Sequence, residues 1–157
     1  ASVCLVPEKR QEITTEGGLD VVEYQSSIAD TVHQLQSLGI EVSLFIDPDL
    51  EIVRAAVDTG AQAIELHTGA YADKYEDQEQ RQQEIIRLTQ ASDLGHQSGL
   101  KINAGPGLHY VNLLDLLKLP WLEELNIGHS IVSRALFVGM EQAVDEMLQL
   151  MRQSGDC

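Results

Sequence analysis

The stretch Lys101-Ile102-Asn103-Ala104-Gly105-Pro106-Gly107-Leu108 runs a short apolar strand straight into a loop where two glycines bracket a proline. A second version follows at Leu125-Asn126-Ile127-Gly128-His129-Ser130. Glycine at a strand end removes the side chain that would keep a ligand off the backbone, and it tolerates positive φ. Two successive strand ends of this kind predict backbone N–H groups turned toward an anion, and a phosphate fits best.

Outward from these loops, short apolar runs alternate with longer amphipathic ones. Val3–Val6, Val42–Ile46, Ala63–Leu66, Lys101–Ala104 and Glu124–Ile127 read as strands. They mostly lack polar alternation, which predicts parallel strands covered on both faces. Ile28, Val32, Leu35 and Leu38 repeat at helical spacing up to a stop at Gly39. Asp47-Pro48 reads as an N-cap with proline in the first helical position, opening a helix to Gly60. Gln78 to about Gln97 forms a longer helix with Ile85, Leu88 and Leu94 inward, and Val111–Lys118 a short one ended by Pro120. Met140, Val144, Met147, Leu148 and Met151 mark a last helix whose methionine stripe reads as core.

The repeated βα pattern, without linker or low-complexity block, predicts a single α/β domain over residues 1–157 with a parallel sheet. Five strands fit a flavodoxin-like open sheet. They fit equally the last five units of an eight-stranded (β/α) barrel, which usually needs about 250 residues. The direct start in strand residues at Ala1-Ser2-Val3 favours the barrel segment.

Lys and Arg total 10 against 25 Asp and Glu, a net charge of −15. That balance argues against nucleic acid or an anionic membrane as partner, since both demand a basic surface. Any anion site must therefore rest on local dipoles and a few cations. Cys4 lies in an apolar run and Cys157 is the last residue, so neither a disulfide framework nor a metal spacing is expected. No signal peptide and no bilayer-length apolar run is read, and a reducing cytoplasm is the expected location.

The segment Leu5-Val6-Pro7-Glu8-Lys9-Arg10-Gln11-Glu12-Ile13-Thr14-Thr15-Glu16-Gly17-Gly18-Leu19-Asp20 closely resembles the pyridoxine 5′-phosphate synthase family of vitamin B6 biosynthesis. The resemblance continues through Val42–Asp47, Ile64-Glu65-Leu66-His67-Thr68-Gly69 with Tyr71-Ala72, the Asn103 loop, and Glu124–His129, in colinear order. It implies a TIM-type (β/α)8 barrel of which this chain is the fourth to eighth βα units. It implies the condensation of 1-deoxy-D-xylulose 5-phosphate with 3-amino-2-oxopropyl phosphate by acid/base chemistry, giving pyridoxine 5′-phosphate, phosphate and water. No metal or other cofactor is implied, the partners are phosphorylated small molecules, and the complete barrel is expected to form homo-oligomers.

By the same resemblance Thr14 contacts the deoxyxylulose phosphate, and Glu65 is the carboxylate that stabilises the transition state. Gly107, Gly128 and His129 hold the amino-ketone phosphate at the ends of the last two strands, the usual phosphate site of barrels. From the residues alone, Thr14 reads as a loop threonine making a local backbone bond, and His129, which by itself could be a satisfied core or loop histidine, favours anion binding beside Gly128 at a strand end. Glu65 in an apolar run must be paired or have a raised pKa, so a site role outweighs a structural ion pair. His67 points the same way as Glu65 by the two-residue period and is a supporting candidate. Glu8, Lys9 and Arg10 read as a solvated loop.

Two departures stand out. The groups on the family's first three strands, an Asn/Asp/His cluster, a His with a nearby Arg, and a catalytic Glu, have no counterpart in this sequence. Pro106 stands where the family carries a proton-donating histidine, and proline has no titratable group. His109, three residues on, is a candidate substitute, or else a surface histidine at a helix start. Three readings follow: a synthase whose missing strands come from further sequence or from a second chain, a catalytically silent phosphate-binding fragment, or a self-contained nucleotide- or flavin-binding domain. The last requires a central first strand, whereas a barrel arc keeps its strands in sequential order.

Overall fold

The computed structural model describes residues 1–7 and 17–152. Thr14 and the Glu8–Arg10 charges lie outside the described residues, as does Cys157. The elements run β1 (Ser2–Leu5), α1 (Gln25–Ser37), β2 (Glu41–Ile46), α2 (Leu50–Asp58), β3 (Ala63–His67), α3 (Gly69–Asp73), α4 (Gln78–Gln97), β4 (Lys101–Gly105), α5 (Leu113–Leu116), β5 (Leu122–Leu125), α6 (His129–Val138) and α7 (Met140–Arg152). The five strands form one sheet in the order β1-β2-β3-β4-β5, every pair parallel. The first strand is an edge, so the doubly wound alternative with a central first strand is excluded. Sequential parallel strands alternating with helices are the order of a barrel arc.

The sheet has one dry face and one polar face. Val42, Leu44, Ile46, Ile64, Leu66, Ile102 and Ala104 are all 0% exposed and pack toward the helices. Each buried branched side chain there contributes about 1.5–3 kcal/mol. On the opposite face Cys4, Ser43, Glu65, Asn103, Glu124 and Asn126 line a concave cavity of about 420 Å³. This corrects the expectation of strands covered on both faces. Glu41-Val42-Ser43-Leu44 and Ile64-Glu65-Leu66-His67 do alternate, because only one face meets helices.

Other boundaries also differ from the sequence expectation. The last ladder spans Leu122–Leu125 rather than Glu124–Ile127. Its register slips between Ile102/Leu122 and Asn103/Glu124, a bulge that consumes Glu123. Past the strand, the N–H of Asn126 still donates to Ala104 O at 2.9 Å before the chain turns into α6. Helix α2 is capped by Asp49, whose carboxylate accepts from the N–H groups of Glu51 and Ile52 at 2.8 and 3.4 Å. Asp47 is therefore not the cap. Leu38 lies past the last turn of α1 and is 75% exposed. In α7 only Met147 of the methionine stripe is buried.

Helices α3 and α6 are not among the elements that periodicity predicts. The first is a single short turn, and α6 buries no residue, so neither presents an apolar stripe to the core. Among the described residues no helix is long and apolar enough to cross a membrane.

Candidate functional site

Glu65 sits in the middle of β3 on the concave face and is 9% exposed. Burial pushes its carboxyl above the usual range, while the Cys4 thiol, Asn126 and the nearby His67 pull the other way. The thiol donates to Glu65 Oε2 at 3.5 Å. Cys4 in turn is pushed up to about 12, by burial first and then by the Glu65 charge, so it stays a protonated donor. Gly105, on the neighbouring strand, makes room for this carboxyl. A Cβ there would stand 2.9 Å from Glu65 Oε1 and 2.8 Å from Asn126 O. Ser43 Oγ, on the same face, is buried without a hydrogen-bond partner among the described residues.

At the C-terminal end of the sheet, Asp47 and His67 meet. Nδ1–H of His67 donates to Asp47 Oδ1 at 2.8 Å. That bond holds the Asp47 carboxyl below its ordinary range, with help from the Gly18 backbone. Phe45 packs edge-on against the imidazole at 5.1 Å between ring centres. The segment entering α1 lies across the same strand ends, with Leu19 N–H on Phe45 O at 2.8 Å. Its close approach requires Gly18, since a Cβ there would lie 2.6 Å from Ile46 Cα.

The loop after β4 is held by side chains from four elements or turns. Thr68, fully buried, gives its N–H to Gly105 O at 2.8 Å and its hydroxyl to Pro106 O at 2.6 Å. Buried Asn112 accepts from His109 N–H at 2.7 Å and donates to Gly107 O at 3.1 Å. Tyr71 hydroxyl donates to Asn112 O, and Ser130 Oγ donates to Leu108 O at 2.8 Å. Gly107 has φ 86, and a Cβ there would stand 2.8 Å from that of Ala72, so glycine is required on both counts.

The structure brings Gly107, Gly128 and His129 together with Pro106 and His109 around one cavity of about 550 Å³. Gly128 is the N-cap residue of α6 and makes no side-chain cap bond, so His129 opens the helix with its first N–H groups free of a capping side chain. Among the described residues the one Lys or Arg lining this cavity is Arg134, which is engaged with Glu146 at 2.7 and 3.0 Å. Glu65 lines the other, concave cavity. His109 Nδ1 accepts from the backbone N–H groups of Val111 and Asn112 at 3.2 and 3.3 Å, so the imidazole serves the turn into α5.

Sequence reasoning passed over Asp47, Cys4, Thr68 and Asn112. Asp47 carried a readable signal, an acid at a strand C-terminus, but its place before Pro48 matched a helix cap as well.

Parallel strands in sequential order, a buried carboxylate on the concave face and glycine loops at the strand ends define a chain of the (β/α)-barrel class. Residues 1–153 match the family model for the pyridoxal phosphate biosynthesis protein PdxJ. The chain belongs to the PdxJ family. It is 55% identical over 148 residues to a pyridoxine 5′-phosphate synthase of Akkermansia muciniphila, covering 94% of this chain and 59% of that protein. It is 51% identical over 151 residues to a relative of the same name from Legionella pneumophila, covering 96% and 60%. A relative of that name from Idiomarina loihiensis is 52% identical over 148 residues, covering 94% and 61%. The chain thus spans about 60% of the length of these curated relatives.

Proposed function

We propose that the chain is the fourth to eighth βα units of a pyridoxine 5′-phosphate synthase, in which Glu65 stabilises charge developing on the condensing substrates. The observation that carries this reading is the Glu65 carboxyl itself, buried on the concave face and braced by the Cys4 thiol. Among the described residues Glu65 makes no ion pair; a carboxylate kept out of water in that way is costly, and a site role accounts for that cost. Gly107 in the loop after β4, together with Gly128 and His129 at the α6 N-terminus, holds the phosphate of 3-amino-2-oxopropyl phosphate through backbone N–H groups. Thr14 meets 1-deoxy-D-xylulose 5-phosphate. The remaining barrel strands come from further sequence or from a second chain, and the complete protein is a cytoplasmic homo-oligomer.

The test joins this chain to the N-terminal part of one of the curated relatives and supplies both substrates. Formation of pyridoxine 5′-phosphate supports the reading, and a folded chimera that forms none overturns it. Pro106 favours a second reading, phosphate binding without turnover. Under that reading the same chimera makes no product, while inorganic phosphate still shifts the amide signals of Gly107, Gly128 and His129.

A further inference from the structure

We propose that Thr68, Asn112 and Ser130 are positioning residues for the substrate phosphate. They hold the carbonyl oxygens of the loop after β4, so that its free N–H groups face the cavity. The proposal rests on the synthase reading above and deepens its phosphate site.

Four successive carbonyls of this loop each have a donor. Thr68 gives its N–H to Gly105 O at 2.8 Å and its hydroxyl to Pro106 O at 2.6 Å. Asn112 Nδ2 donates to Gly107 O at 3.1 Å, and Ser130 Oγ donates to Leu108 O at 2.8 Å. In a trans peptide the C=O of one residue and the N–H of the next point opposite ways. The peptides after Pro106 and Gly107 are trans, so fixing those two carbonyls also fixes the N–H groups of Gly107 and Leu108. Gly107 and Leu108 line the cavity, whereas Thr68 and Asn112 do not. The N–H groups turned away from these donors therefore turn toward the cavity. Among the described residues neither N–H has a protein acceptor.

The next peptide runs the other way. His109 N–H goes to Asn112 Oδ1 at 2.7 Å, which leaves Leu108 O on the side of Ser130, a cavity residue. The Ser130 hydroxyl covers that oxygen and ties the first turn of α6 to the loop.

Thr68 and Asn112 stand at the N-cap positions of α3 and α5, and neither side chain caps its helix. Thr and Asn in that position ordinarily accept from the first helical N–H groups. Helix stability alone would use them there. Both are fully buried, and both are directed to the β4 loop instead. The chain carries a net charge of −15, and Arg134 in the cavity is engaged with Glu146. A phosphate here depends on N–H dipoles, and an uncovered carbonyl oxygen beside it would repel it.

The test uses the completed chimera described above. Thr68→Val removes the hydroxyl at nearly the same shape, Thr68→Ser keeps it, and Ser130→Ala uncovers Leu108 O. Loss of one such hydrogen bond should raise KM for 3-amino-2-oxopropyl phosphate about three- to tenfold in Thr68→Val and in Ser130→Ala. KM for 1-deoxy-D-xylulose 5-phosphate should stay within about twofold, and Thr68→Ser should restore the parent value. A purely structural role would shrink the folded fraction, lowering kcat while leaving both KM values in place. That result overturns the proposal, as does an equal rise in both KM values. Binding is also read without turnover, from the amide shifts of Gly107 and Leu108 under inorganic phosphate. Weaker binding in Thr68→Val that returns in Thr68→Ser supports the positioning role, even in a chimera that makes no product, where the synthase reading alone falls. Equal binding in the parent and Thr68→Val, or no shift of either amide in the parent, overturns it.

Discussion

Cys4 and Glu65 show how a single buried carboxyl is kept usable. A thiol is a weak donor, yet Cys4 and Asn126 are the two groups whose hydrogen bonds offset the burial that raises the Glu65 pKa. Replacement Cys4→Ala should push the Glu65 carboxyl higher, and Cys4→Ser should restore it; a 13C titration of the side-chain carboxyl measures both. The sign for stability follows from the raised value. Stability from this group is fully present below its ordinary pKa of 4.5 and is lost as pH rises through the higher folded value. The variant Glu65→Gln should therefore melt at a higher temperature than the parent at pH 8, and the gap should close near pH 4. Asp47 works the other way. Its stabilising contribution is present above 3.8 and fades as pH falls through its lowered folded value. At residue scale Glu65 was legible, because a carboxylate inside an apolar run demands an explanation. Its donor lies 61 residues away and was not.

At the scale of elements, caps and clamps decide where the helices and loops begin. Asp49 satisfies two orphan N–H groups at the start of α2, so Asp49→Ala should cost about 0.5–2 kcal/mol in denaturant unfolding. The same change at Asp47 should leave α2 intact, since its carboxylate serves His67 instead. Thr68 ties the β3 end to the β4 loop. Thr68→Val keeps the shape but loses the hydroxyl bond to Pro106 O, and should destabilise by about 1–3 kcal/mol. It should also weaken phosphate-induced amide shifts at Gly107 if the loop needs that clamp. Strand and helix positions were largely readable because periodicity is local. The displaced β5 was not, since its bulge arises from pairing with β4 rather than from its own residues.

For the whole molecule, the sheet leaves β1 and β5 as edges and its polar face lines an open cavity. Unpaired strand edges template association, and a net charge of −15 opposes it without satisfying the backbone. The isolated chain should accordingly self-associate or melt broadly, as read by analytical ultracentrifugation and calorimetry; a monomer with one sharp two-state transition would contradict this. The α6–α7 layer adds exposed Leu136 and Phe137 at 83% and 85%. The sequence by itself determined the alternation of strands and helices, the parallel sheet, the glycine loops and the isolation of Glu65. All of these are written in residue types and spacings within one element. Only the tertiary structure decided that the strands follow one another in order, that one sheet face is polar and open, and that Asp47 serves His67 rather than a helix. Those outcomes depend on register between strands, which is set by the packing of Val42, Leu44, Ile64 and Ile102 against the helices. Groups 20 or 61 residues apart meet only once that register is in place.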